Sequence, residues 1–239
     1  MRSTALLLAA MLVPLTAAAE PAVLIDDDFD RAETDDAKEQ VGGGWGTNSK
    51  GRAAGNKQVD LVDGTLVITR HPVADHGVSV THDMAFRDGR ISLRFQLPTK
   101  ADNLGINIAD LKEKSVHAGH ICMARVTTRQ VEFHDLKTGN MRLDLRNRRK
   151  AGEELTDDEK AMLKAKKMIV KRPIAPGEWH DLVVTIRGET MTIAVDGEEV
   201  GTFTSEGIGH ETKRKLRLAV AKRAVVDDVK VERLSPRDE

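Results

Sequence analysis

The sequence lacks disulfide partners and is poor in aromatic residues. Cys122 is the only cysteine among 239 residues, so no disulfide can form within the chain. Five phenylalanines, two tryptophans and no tyrosine leave few rings on which a flat ligand can stack. We therefore expect a hydrophobic core to supply the stability of the fold.

The sequence also lacks an excess of charge and, beyond its N-terminus, any long apolar run. The formal net charge is −1, which gives no signal for a nucleic-acid partner, and we expect none. Arg2, the apolar run Ala5–Leu15 and the small residues Ala17–Ala19 have the order of a signal peptide, and the run is too short to span a bilayer. We expect a signal peptide at residues 1–19, a mature chain from Glu20, no membrane span, and export to the periplasm, the cell surface or the extracellular space.

Short alternating runs fill most of the remaining chain. In RISLRFQL, residues 90–97, apolar and polar residues alternate as in a strand with one buried face. Asp63-Gly64, Asp88-Gly89 and Asp196-Gly197 stand beside such runs and are typical hairpin turns. About a dozen runs of this kind favour one antiparallel β-sandwich domain over residues 20–239.

One segment has the signature of a helix inserted between strands. Thr156 and Glu159 have the spacing of a capping box, and apolar residues follow at helical intervals. We predict a helical insertion at about 154–168.

Lys and Arg outnumber Asp and Glu over residues 137–172, which a solvated helix face explains. A patch that docks an anionic partner is the alternative.

The segment SVHAGHICMARVTTRQVEFHDL, residues 115–136, holds three histidines and the only cysteine. We interpret it as a β-hairpin that turns at Thr128-Arg129. This turn places the opposite charges of Arg125 and Glu132 directly across from each other, which favours the register.

The same register determines the two faces of the hairpin. Met123 lies opposite His134, while Cys122 and His120 share the apolar face, so Cys122 and His134 point in opposite directions. His117, His120 and Cys122 offer three zinc ligands, but no fourth ligand stands out. We predict a buried, protonated thiol and no metal site in the hairpin.

The other face of the hairpin is polar. Arg125, Glu132 and His134 lie on it, and Arg94 and Asn107 stand in neighbouring alternating runs. We expect these exposed side chains to line a shared groove that offers hydrogen-bond donors and acceptors to a ligand. An ordinary solvated sheet face is the alternative.

Acidic residues lie near both ends of the predicted domain. Asp28 and Asp30 follow the first predicted strand, and Asp227 and Asp228 belong to the last. Because terminal strands of such sandwiches often lie side by side, these carboxylates are candidate ligands for a structural calcium ion. Solvated acidic loops are the alternative, and no other cofactor is indicated.

Several segments occur in the order found in a known fold family: DFDR (28–31), LVDGTLVI (61–68), AFRDGRISLRFQL (85–97), GHICMARV (119–126), PGEWHDLVVTIRGETMTIAVDGEEV (176–200) and VVDDVKVERL (225–234). In this order the chain resembles concanavalin A-like jelly-roll proteins. Among these it is similar to secreted bacterial 3-keto-disaccharide hydrolase-like and laminin G-like domains. The resemblance implies a two-sheet antiparallel jelly-roll sandwich, and a polysaccharide or oligosaccharide as the partner.

The resemblance leaves the activity open. The E-x-D-x-x-E strand of laminarinase-type glycosidases is absent, which favours a non-catalytic saccharide-binding or cell-envelope interaction module. If the protein cleaves glycosides, Glu132 with His134 or Asp135 are the candidates for acid–base chemistry. A structural envelope protein that docks an anionic partner through the basic helix is a third hypothesis.

Of the two indoles, Trp179 is expected to pack inside, and Trp45 fits either packing or sugar stacking.

Overall fold

The alternating runs form the strands of two antiparallel sheets. The computed structural model describes residues 21–235, and the signal peptide predicted at residues 1–19 lies outside these residues. The strands are β1 (Ala22–Asp27), β2 (Gly46–Thr47), β3 (Val59–Val62), β4 (Thr65–Thr69), β5 (Val78–Phe86), β6 (Gly89–Gln96), β7 (Asn103–Ala109), β8 (His120–Thr127), β9 (Gln130–Asp135), β10 (Lys167–Lys171), β11 (Trp179–Arg187), β12 (Thr190–Val195), β13 (Glu198–Thr204), β14 (Lys213–Val220) and β15 (Arg223–Arg233). The α-helices are α1 (Ser49–Arg52), α2 (Leu143–Lys150) and α3 (Asp157–Ala165).

The two sheets pair strands that are distant in the sequence. The first sheet has the order β13-β12-β11-β6-β15-β4-β3, and β1 pairs with β15. The second sheet has the order β10-β9-β8-β7-β14-β5-β2. The pairing of β1 with β15 confirms that the terminal strands lie side by side. The fold is the antiparallel jelly-roll sandwich predicted from the sequence.

A continuous core lies between the sheets. In β6, for example, Ile91, Leu93 and Phe95 are buried while the residues between them are partly exposed, because successive side chains point to opposite faces. Phe95 from the first sheet and Phe133 from the second are both fully buried. Burial of each such side chain contributes about 1.5–3 kcal/mol, which is how a chain without disulfides remains folded.

Two of the three predicted hairpin turns are present, whereas Asp88-Gly89 joins β5 of the second sheet to β6 of the first, and these strands do not pair. Asp63 and Gly64 join β3 to β4 with φ of 49° and 71°, and Asp196 and Gly197 join β12 to β13 with φ of 54° and 78°. Positive φ at both central residues is the geometry that matches the twist of paired strands, and Asp-Gly adopts it at low cost.

Helix α3 begins at the predicted capping box. The Thr156 backbone N–H donates to Oε2 of Glu159 at 2.8 Å, and the Glu159 backbone N–H donates to Oγ1 of Thr156 at 3.2 Å. The predicted insertion extends too far, because the chain from Lys167 forms β10 and Met168 packs against the core. Helix α2 was not predicted, since only Leu145 of its residues is buried and its apolar pattern is weak.

No helix among residues 21–235 combines the length and the apolar character that crossing a membrane requires.

Candidate functional site

The face of the second sheet that points away from the core carries most of the predicted ligand-binding residues. Because side chains alternate along a strand, the neighbours of the buried residues project from this face. One row of paired positions crosses it from β10 to β5: Lys167, His134, Met123, Asn107, Arg217 and Thr81. We call this surface the polar face and define it by that row together with Glu132, Arg125 and His120.

The hairpin of β8 and β9 has the predicted register. Arg125 is paired with Glu132, and Met123 with His134. Cys122 is fully buried on the opposite side of the sheet. The register prediction is confirmed, and it brings Arg125, Glu132 and His134 onto one surface.

Glu132 and His134 form a hydrogen-bonded pair on β9. Nε2 of His134 lies 2.9 Å from Oε2 of Glu132, and Nε2 of Gln130 donates to Oε1 at 2.7 Å. Nη1 of Arg125 and Nζ of Lys167 lie 3.7 Å and 4.0 Å from Oε2. The Glu132 side chain is only 6% exposed, so the expectation of an exposed carboxylate is wrong. Its neighbours hold it in one orientation.

The surroundings of this pair determine its ionisation. Burial raises the pKa of Glu132, but the hydrogen bonds from Gln130 and His134 lower it. The charge of Arg125 acts in the same direction, and the pKa falls below its usual value. Burial, together with the positive charges of Lys167 and Arg125, lowers the pKa of His134 by more than Glu132 raises it. The pair is therefore a carboxylate beside a neutral imidazole.

This ionisation assigns the proton of the imidazole. Nε2 of His134 must carry the proton, because it donates to the ionised Glu132. Nδ1 of His134 is then the basic nitrogen, and among the described residues no hydrogen-bond partner is found for it. The pair has the geometry of a histidine oriented by a carboxylate, an arrangement suited to proton transfer.

Asn107, His120 and Arg217 contact one another at the other end of the row. Nδ1 of His120 lies 2.9 Å from Oδ1 of Asn107 and 3.1 Å from Nη1 of Arg217. Nη2 of Arg217 donates to the carbonyl oxygen of Ala118 at 2.7 Å. Burial lowers the pKa of His120 to about 3, and the charge of Arg217 adds to this effect. Asn107 is thus on the polar face as predicted, although it is buried rather than exposed.

The prediction that His120 shares the apolar face of Cys122 is wrong. Ile108 is paired with Cys122 but Ala109 is paired with His120, so β8 contains Ile121 as an extra residue. This bulge directs Ile121 into the core and His120 onto the polar face. No pattern in the sequence indicates the bulge, because it depends on the pairing of β8 with β7.

Arg94 does not lie on the polar face. It belongs to β6 in the first sheet, where Nη1 is 3.6 Å from Oδ2 of Asp227 and 3.7 Å from Oδ2 of Asp228. The guanidinium lies 5.0 Å from the centre of the Trp179 ring. The prediction that Arg94 joins the groove is wrong, because alternation identifies the faces of a strand but not the sheet that it enters.

The aspartates considered for calcium lie around β1 and β15. Burial and the negative charges of Asp228 and Asp28 raise the pKa of Asp227, despite a backbone hydrogen bond from Asp228 and the charge of Arg94. Oδ1 of Asp28 accepts the backbone N–H of Asp30 at 3.0 Å. Among the described residues, no three or more His, Cys, Asp or Glu side chains are grouped to hold a metal ion. A calcium ion at these aspartates stays a prediction.

The two tryptophans have different surroundings. Nε1 of Trp45 donates to Oδ2 of Asp27 at 2.8 Å. The Trp45 ring packs against Phe29 and His82 and is buried, so this residue supports the core. Trp179 is 37% exposed on the outside of the first sheet, and the expectation that it packs inside is wrong.

Asp135 is unavailable for acid–base chemistry on the polar face. Its carboxylate is buried on the other side of β9. Oδ2 accepts from Oγ of Ser205 at 2.6 Å and from the backbone N–H of Gly207 at 3.0 Å, and Oδ1 accepts from the backbone N–H of Thr138 at 3.0 Å. These bonds tie β9 to the segment after β13. Asp135 is therefore a structural residue.

Comparison with known families and structures identifies the same fold. A sequence model described as the 3-keto-alpha-glucoside-1,2-lyase-like domain matches residues 34–231. No curated protein sequence matches the chain.

Three solved structures represent the structural similarity. The carbohydrate binding module CBM66 from Bacillus subtilis is 13% identical with a TM-score of 0.50, covering 79% of this chain and 95% of the module. The laminarinase from Rhodothermus marinus is 14% identical with a TM-score of 0.59, covering 90% of this chain and 98% of the enzyme. The laminarinase catalytic domain from Thermotoga maritima MSB8 is 14% identical with a TM-score of 0.57, covering 91% and 100%. At these identities the similarity establishes the fold alone.

Proposed function

The chain belongs to the family of 3-keto-alpha-glucoside-1,2-lyase-like domains, and from this premise we propose that it binds a carbohydrate on the polar face. The observation that carries the proposal is the Glu132–His134 pair, with the cations of Arg125 and Lys167 next to the same carboxylate. The family and the carbohydrate-active proteins of similar fold support a sugar as the ligand.

The chemistry of the polar face suits sugar hydroxyl groups. A hydroxyl both donates and accepts hydrogen bonds, and the face offers the Glu132 carboxylate as an acceptor and Arg125 and Lys167 as donors. Neighbouring side chains already orient these groups, which reduces the entropy lost on binding. Because no Trp, Tyr or Phe belongs to the row of residues that defines the face, we expect weak binding dominated by hydrogen bonds.

The Glu132–His134 pair also favours a second candidate function, the cleavage of a 3-keto-glucoside by elimination. A base removes the proton at C2, the C3 carbonyl accepts the electron pair as an enolate, and re-formation of the carbonyl expels the oxygen on C1, which takes up a proton. Nδ1 of His134 can act as the base, and Arg125 and Lys167 can stabilise the enolate oxygen. Glu132 then serves as the residue that positions the imidazole.

Docking of an anionic partner through the basic helix receives less support. Several cations in and next to α2 and α3 already have acidic partners: Arg142 with Asp144, Arg148 with Glu153 and Glu159, and Lys160 with Asp157. These pairs favour the solvated helix face.

Binding of a glycan panel to the parent and to His134→Ala tests the proposal. We expect the substitution to weaken binding about tenfold or more, because it removes an oriented hydrogen-bonding group. His71→Ala, in the loop after β4 of the first sheet, is the matched control and should bind like the parent. Equal binding of every glycan by His134→Ala and the parent would contradict a site on the polar face.

The elimination has its own test. The parent, incubated with a 3-keto-glucoside, should release the aglycone and an unsaturated keto sugar, and loss of the base should slow release about 10²–10⁴-fold. Full activity of His134→Ala would rule out His134 as the base. Saccharide binding by the parent without turnover would contradict the elimination and favour a binding module.

We further propose that the protein is exported after cleavage between Ala19 and Glu20, on the basis of the N-terminal sequence alone. N-terminal sequencing of the protein from the cell envelope or medium should then begin at Glu20. Recovery of the intact chain from Met1 in the cytoplasm would contradict export.

A further inference from the structure

Arg217 is a half-buried cation without a carboxylate partner among the residues that the structure describes. Its guanidinium contacts Asn107, His120 and the carbonyl oxygen of Ala118, none of which is an anion. Burial lowers the pKa of Arg217, and no acidic group offsets this. A partly buried charge without a counter-charge is unfavourable, so this arrangement suits a site that an anion completes.

Two histidines lie near Arg217, and cations of α2 lie near His117. The His117 and His120 rings lie 6.2 Å apart. Burial lowers the pKa of His117, and the positive charges of Arg146 and Lys150 on α2 lower it further, together with Arg217. The backbone explains this proximity, because the His117 N–H donates to the carbonyl oxygen of Met141, just before α2, at 2.8 Å. We call His117, His120, Arg146 and Arg217 the basic end of the polar face.

The acidic groups on the neighbouring strands are already paired with other cations. Asp83 on β5 forms an ion pair with Lys215. Asp110, after β7, lies 2.7 Å from Nη1 of Arg214 and 3.1 Å from Nε2 of His210. These carboxylates therefore do not neutralise Arg217.

We propose that the basic end binds the acidic group of an anionic saccharide, a carboxylate of a uronic acid or a sulfate ester. The inference rests on the proposed saccharide site and specifies its ligand class. His134 and Arg217 occupy one row with Met123 and Asn107 between them. Three strand spacings, about 14 Å, separate the two ends, a distance that an oligosaccharide lying across the strands can bridge.

The chemistry of the basic end matches such a group. A guanidinium presents paired N–H donors that fit two oxygens of a carboxylate or sulfate. Because Arg217 is already oriented by Asn107 and Ala118, its position need not be fixed on binding. Partial burial strengthens the attraction relative to an arginine in open solvent.

Calorimetric titration with neutral, uronate-containing and sulfated oligosaccharides of equal length tests the proposal. We expect the parent to bind one or both acidic ligands about tenfold or more tighter than the neutral ligand. Arg217→Gln should abolish this preference by weakening the acidic ligands far more than the neutral saccharide, and high salt should reduce the preference in the parent. Which acidic ligand binds more tightly identifies the anionic group.

Two further variants keep the test decisive. Arg146→Gln changes a cation on α2, outside the hydrogen-bond network of the sheet, and should weaken acidic ligands severalfold even if Arg217→Gln does not fold. Arg129→Gln, at the exposed β8–β9 turn, is the matched control and should leave the preference unchanged.

The outcomes separate this inference from the proposed function. Equal affinity for neutral and acidic saccharides overturns the anionic subsite and leaves the carbohydrate site standing. So does a preference that persists in folded Arg217→Gln, or in Arg146→Gln where Arg217→Gln does not fold. Binding of inorganic sulfate without any preference for acidic saccharides also overturns it. Failure of the parent to bind any saccharide overturns both.

Discussion

Nε2 of His134 lies 2.9 Å from Oε2 of Glu132, two residues earlier on the same strand. Residues i and i+2 of a strand share a face, so this contact is local, and the pairing with Arg125 across the hairpin reinforces it. The contact between the acid and the histidine therefore follows from their spacing in the sequence, whereas the burial of the pair beside two cations follows from the fold.

The ionised Glu132 is expected to stabilise the protein above its ordinary pKa. Its folded-state pKa is lowered, so this stabilisation is present above the unfolded value and is lost as the pH falls through the folded pKa. Glu132→Gln should reduce the free energy of unfolding at pH 7 by about 1–3 kcal/mol. It should also reduce the loss of stability on acidification, as measured by urea unfolding at several pH values.

The control for this prediction is Glu178→Gln, which changes an exposed glutamate before β11. It should change the free energy of unfolding by less than about 0.5 kcal/mol. An acid dependence in Glu132→Gln as steep as in the parent would contradict the role assigned to the carboxylate.

His120 is expected to remain neutral over most of the acid range. Burial and then the charges of Arg217 and His117 lower its pKa from 6.5 to about 3. Below the unfolded pKa the unfolded chain binds the proton first, so stability falls as the pH drops from about 6.5 towards 3. His120→Gln should lessen this fall, while His71→Gln should not. An NMR titration that follows the histidine ring signals against pH measures this pKa. A His120 pKa near 6.5 would contradict the prediction.

Cys122 is expected to be unreactive in the folded protein. Burial raises the pKa of its thiol to about 12, so the nucleophilic thiolate is scarce near neutral pH. A thiol reagent should label less than one equivalent over hours without denaturant and one equivalent rapidly in denaturant. Rapid labelling of the native protein would mean that the interior face of β8 is accessible.

Asp135 is expected to be among the more sensitive polar positions. Asp135→Ala leaves Ser205, Thr138 and the Gly207 N–H without their buried acceptor. We expect a loss of about 3 kcal/mol or more in the free energy of unfolding. Asp157→Ala, at the fully exposed start of α3, is the control and should cost less than about 1 kcal/mol. Equal effects of the two substitutions would contradict the structural role of Asp135.

The local features of this fold follow from neighbouring residues. The Asp-Gly turns, the capping box of α3 and the β8–β9 register each depend on contacts within one turn or one hairpin. Two features favour the same register of this hairpin: the opposite charges of Arg125 and Glu132, and the small apolar residues on the inner face. A shift of one residue would exchange the two faces.

The sequence by itself determined the strands, their buried faces, the family and the position of Glu132 and His134 on one face, since alternation and short-range pairing encode these features. Only the tertiary structure decided that β6 lies in the first sheet, which takes Arg94 away from the polar face, and that the bulge at Ile121 brings His120 onto it. It also decided that Arg217 joins Asn107 and His120 from a strand about a hundred residues distant. The physical reason is that sheet membership and bulges depend on pairing between distant strands, which no local pattern records.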